Sequence, residues 1–123
     1  MTDDEADTLA RIRASAKHWD ENYAELHDDG TIGEKFSMGA ADCALCGKYN
    51  LRSMTHSCFL CPLDTGGMNC DKRNSPYDRA RDAYIGFKHG GMSPPRFIDM
   101  RNAVKTMAET LHKLAAEYER EPK

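Results

Sequence analysis

Apolar side chains recur at helical spacing in the first part of the chain. They stand three and four residues apart, at Leu9, Ile12, Ala16, Trp19, Tyr23 and Leu26. This spacing puts them on one face of a helix, which we expect over residues 2–27 with its aromatic rings packed in the core. Thr2 and Glu5 have the form of a capping box at the start of this helix.

The C-terminal part of the chain has the longest regular pattern. Its apolar positions alternate three and four residues apart, at Phe97, Met100, Val104, Met107, Leu111, Leu114 and Tyr118. Ser93, Pro94 and Pro95 mark a helix start, so we predict a helix over residues 94–120. A shorter stripe consists of Tyr77, Ala80, Tyr84 and Phe87. It predicts a third helix over residues 76–88, which ends before a pair of glycines.

These elements predict a mainly α fold in one domain, because a chain of 123 residues can form a single core. Two long amphipathic helices and one shorter helix would be joined through a small cysteine-rich zinc module with short strands, over residues 43–70. The stripes of the long helices favour an antiparallel pair within one chain, although they could also pair two chains in a homodimer. Residues 27–42 would form a connecting loop, in which Ile32 and Phe36 are the expected buried anchors.

Five cysteines lie between residues 43 and 70, and four of them form two C-x-x-C pairs. Thiolates bind zinc tetrahedrally, and each C-x-x-C turn brings two sulfur atoms to one side of the metal. Two such turns complete the coordination shell, with Cys43, Cys46, Cys58 and Cys61 as the ligands. A closed shell leaves no position for activated water, so we predict one structural Zn2+ per chain.

Two further residues could enter this shell. Cys70 could replace Cys58, and the imidazole of His56 could also compete for the metal. Outside the shell, Cys70 would be a small buried side chain and His56 a hydrogen-bonded loop residue. Four ligand positions for five cysteines leave the role of Cys70 open.

The cysteine segment also carries a longer motif, with the pattern C-x-L-C, C-x-x-C-P, T-G-x-x-x-C and S-P-Y. Its positions are Cys43, Leu45, Cys46, Cys58, Cys61, Pro62, Thr65, Gly66, Cys70, Ser75, Pro76 and Tyr77. In this motif the chain resembles a group of small proteins carried by phages and prophages, with a longer gap between Cys70 and Ser75. The resemblance implies a phage or mobile-element context and makes Cys70 part of the module. It implies no reaction.

Charge is unevenly distributed along the chain. The net charge is −3 and the pI is about 5.9, which is not the charge of a nucleic-acid coat protein. Residues 1–42 carry 4 basic and 11 acidic side chains, whereas residues 43–123 carry 13 basic and 9 acidic ones. A basic surface around the metal module could therefore contact phosphates. Its candidate residues are Lys48, Arg52, Lys72, Arg73, Arg79, Arg81 and Lys88.

The compartment is indicated by the first residues and by hydropathy. Residues 1–5 are acidic, whereas a secretory signal begins with basic residues. No apolar run approaches the ~20 residues of a membrane span, so we expect no membrane contact. We therefore expect a cytoplasmic protein, in the host cell if phage-encoded, whose clustered thiols bind metal rather than form disulfides.

Three functions fit these features. A closed metal site, long amphipathic helices and the absence of a catalytic motif favour a non-enzymatic, zinc-stapled interaction protein. It would be phage-associated and would regulate or inhibit a host or viral protein. The alternative is a DNA- or RNA-binding module that uses the basic side chains above. A metal-dependent nuclease centred on His56 is a further alternative, although the sequence fixes no second metal beside His56 or His89.

Overall fold

The computed structural model describes residues 1–37, 76–91 and 93–121, and these contain three helices. They are α1 (Asp3–Ala24), α2 (Pro76–His89) and α3 (Pro94–Arg120). The prediction of a mainly helical protein is confirmed. In these three ranges there is no strand, only an isolated antiparallel bridge between Leu26 and Ile32. The predicted zinc module with its short strands lies outside the described residues, and the single domain stays a prediction.

Helix α1 begins with the predicted capping box. The Thr2 hydroxyl accepts a hydrogen bond from the Glu5 N–H at 3.1 Å, and the Glu5 carboxylate accepts one from the Thr2 N–H at 2.8 Å. The Thr2 backbone N–H, followed by the Thr2 hydroxyl, lowers the pKa of Glu5 below its ordinary value. Both hydrogen bonds satisfy backbone N–H groups that would otherwise bond to water at the start of a helix.

Helix α1 ends at Ala24, earlier than the apolar stripe predicts. The chain turns at Gly30, whose φ of 87° is in the left-handed region, and Asp29 accepts a hydrogen bond from the Thr31 N–H. Leu26 therefore leaves the helix and pairs with Ile32, yet it is buried as the stripe predicts. The stripe identified a core residue correctly but could not show that the backbone changes direction before it.

The core lies along an antiparallel seam between α1 and α3. Three side-chain contacts show the direction, because partners later in the first 28 residues are earlier in α3. They are Arg13–Glu119 at 2.9 Å, Asp20–His112 at 2.7 Å and Asp28–Arg101 at 3.0 Å. Each is solvent-exposed on at least one side, so we expect it to contribute little stability and mainly to match the register of the two helices. This is the predicted antiparallel pair within one chain.

The buried apolar residues of the seam follow the predicted stripes closely. They are Leu9, Ile12, Ala16, Trp19 and Leu26 on one side, and Phe97, Met100, Val104, Met107, Ala108, Leu111, Ala115 and Tyr118 on the other. Tyr23 and Leu114 are only half-buried. Arg101 partly covers Tyr23, with its guanidinium carbon 5.1 Å from the ring centre. The structure therefore departs from the predicted stripes at the edges of the buried helix faces, where Ala115 is buried in place of Leu114.

Helix α2 packs against α3 as a short hairpin. The rings of Phe87 and Phe97 meet edge to face, with centres 5.5 Å apart. Arg96 donates a hydrogen bond to the Gly86 carbonyl at 3.2 Å, close to the negative end of the α2 dipole. Gly91, with a φ of 112°, provides the left-handed turn that follows the helix. None of the described helices is long and apolar enough to cross a membrane.

We expect Leu111→Ala to lower the free energy of unfolding by about 3 kcal/mol, because a fully buried leucine leaves a cavity that the seam only partly fills. Urea denaturation followed by circular dichroism measures this loss. Ile98→Ala is the matched control on the same helix. Ile98 is 57% exposed, so the change should stay within about 0.5 kcal/mol. Equal losses in the two variants would contradict the assigned faces of α3.

Candidate metal centre and its helical anchors

The four predicted zinc ligands, Cys43, Cys46, Cys58 and Cys61, lie outside the described residues. The possible substitutes Cys70 and His56 lie there as well. Within the described ranges, no three His, Cys, Asp or Glu side chains form a group that could hold a metal ion. The structure does describe the residues on either side of the segment that carries the cysteines. They are Ser37 and the start of α2.

The segment begins at Ser37, which is held by a buried amide. Asn22 donates from Nδ2 to the Ser37 carbonyl at 2.8 Å and accepts from the Ser37 N–H at Oδ1 at 3.0 Å. The Nε2 of His18 donates to the same carbonyl at 2.9 Å. Asn22 is fully buried, so these bonds replace water at both ends of its side chain. The Asn22 amide therefore fixes the position of Ser37 on α1.

The segment returns at the start of α2, which is held by aromatic packing. Pro76 is buried, and the ring of Tyr77 meets the Trp19 indole edge to face with centres 6.1 Å apart. Phe36 stacks on Tyr84 at 5.2 Å, so the end of the first loop also contacts α2 directly. Such ring pairs stabilise by about 0.5 to 1.5 kcal/mol beyond the area they bury.

Both anchors contact the same two turns of α1. Asn22 and His18 hold one end of the cysteine segment, and Trp19, between them in sequence, holds the other. Ser37 and the start of α2, which flank residues 38–75 in the sequence, are thus both held on these turns. Closing a loop before the metal binds removes part of the conformational entropy that gathering four ligands would otherwise cost. This arrangement fits a structural zinc loop, and the donor set of paired thiols fits zinc chemically.

The basic residues proposed to face phosphates are only partly described. Lys48, Arg52, Lys72 and Arg73 lie outside the described residues, whereas Arg79, Arg81 and Lys88 lie on α2. At 100° per residue, Arg79 and Arg81 are on opposite flanks of the buried face, and Lys88 is on the Arg81 side. Arg81 is also paired with Asp78 at 2.9 Å. Arg79 therefore does not share one surface with Arg81 and Lys88.

Three buried polar residues of α1, one of them the anchor Asn22, were missed by the sequence pattern. Thr8, Ser15 and Asn22 are polar and almost completely buried, at 1%, 0% and 0% exposure. They stand seven residues apart, and each comes directly before a position of the apolar stripe: Leu9, Ala16 or Tyr23. The seven-residue repeat of short polar residues beside the stripe is the signal that could have identified them.

No protein-family model, curated protein or solved structure matches this chain. The resemblance to small phage-carried proteins therefore stays a prediction based on the cysteine motif.

We expect Asn22→Leu to lower the free energy of unfolding by about 2 kcal/mol, because it removes both hydrogen bonds between the buried Asn22 amide and the half-buried Ser37 backbone. Urea denaturation measures the loss, and hydrogen exchange should show faster exchange at the Ser37 amide. The control is Asn102→Leu on the exposed face of α3, with an expected change within about 0.5 kcal/mol. An unchanged Ser37 amide in Asn22→Leu would show that this side chain does not anchor the segment.

Proposed function

We propose that this protein is a non-enzymatic, zinc-stapled helical interaction protein that binds a protein partner and regulates or inhibits it. One observation supports this proposal best: the cysteines with zinc-ligand spacing lie between two anchors on the same part of α1. Two C-x-x-C pairs lie in a segment whose ends are both held on residues 18–22 of α1. This combination favours a metal that completes the fold over one that carries out chemistry.

A shell of Cys43, Cys46, Cys58 and Cys61 would occupy all four positions of a tetrahedral zinc. The metal would then have no open site for water or substrate and would act on stability alone, with an apparent binding free energy of ~10 to 16 kcal/mol. Function would consequently depend on the surfaces that the zinc and the helices fix in place. Recognition of another macromolecule is the role that suits such a rigid surface.

A protein is a better-supported partner than a nucleic acid. The first 42 residues, which include α1, carry 4 basic and 11 acidic side chains, so this part of the molecule would repel phosphates. Arg79 and Arg81 lie on opposite flanks of α2 and do not combine into one phosphate-binding face. A host or viral protein with a basic surface fits this charge distribution. The phage association rests on the cysteine motif alone.

We expect the full chain, expressed in a reducing cytoplasm, to contain one zinc per chain. Cys58→Ser should lose most of the zinc and much of its helicity on mild heating, because three thiolates cannot close the shell. Elemental analysis and circular dichroism measure both. Cys70→Ser is the matched control within the segment and should keep its zinc. The reverse outcome, with zinc lost from Cys70→Ser and kept in Cys58→Ser, would contradict the proposed ligand set.

We expect immobilised zinc-loaded protein to retain a host or phage protein at a stoichiometric level from a nuclease-treated lysate. The Cys58→Ser variant should retain much less, because the surface that the metal orders is lost. Recovery of nucleic acid alone from an untreated lysate would contradict the proposal. Fluorescence anisotropy with single- and double-stranded probes at low salt tests that alternative directly, since phosphate contacts weaken steeply as salt is added.

A further inference from the structure

We draw no further inference here: the strongest candidate, the exposed apolar side chains Ile85 and Ile98 on the surface of the α2–α3 hairpin, carries none because nothing in the structure shows what covers them.

Discussion

The apolar seam between α1 and α3 is the interaction on which the other features depend. It contains the fully buried side chains Ile12, Val104 and Leu111, and its burial supplies the main driving force for folding. Helix α2 packs on α3, and the first loop folds back onto α1, so both are positioned by the seam. The exposed side-chain contacts across it fix the register of the two helices more than they add to the free energy of folding. Disruption of the seam would therefore also displace both ends of the cysteine segment.

The anchors connect this seam to the cysteine segment. Trp19 belongs to the core and contacts Tyr77, while Asn22, one turn later, holds Ser37. Helix packing and loop closure consequently share the same turns of α1. A metal bound by the cysteine segment would also stabilise these turns, through the anchors. In return, the packed helices would reduce the entropy that is lost when the four ligands come together. Folding and metal binding would be thermodynamically coupled through a few residues.

Most of the fold that the structure describes could be predicted from local pattern. The spacing of three and four residues identified the three described helices, and Thr2 with Glu5 identified the start of α1, because both signals act within a few residues. The early end of α1 could not be predicted, since Leu26 continues the stripe after the backbone has left the helix. The split of Arg79 and Arg81 between two flanks was implicit in helical periodicity, although their closeness in sequence suggested one surface.

The zinc ligands stay a prediction from sequence, whereas the anchors could not be predicted from it. Thiol spacing indicates zinc directly, because metal geometry constrains C-x-x-C turns. The bond between Asn22 and Ser37 depends on how the loop folds back, and a pattern search limited to apolar residues overlooks a buried amide. Thr8 and Ser15 were missed for the same reason. Buried polar groups become visible only when the seven-residue repeat is examined for every residue type.

The central claim is that the anchored cysteine segment encloses one zinc in a shell of four thiolates. X-ray absorption spectroscopy at the zinc edge, on the full chain purified under reducing conditions, tests it most directly. The account predicts four sulfur neighbours at about 2.3 Å and no nitrogen or oxygen neighbour. A shell that contains an imidazole nitrogen or a water oxygen, or a protein that binds no zinc, would contradict it.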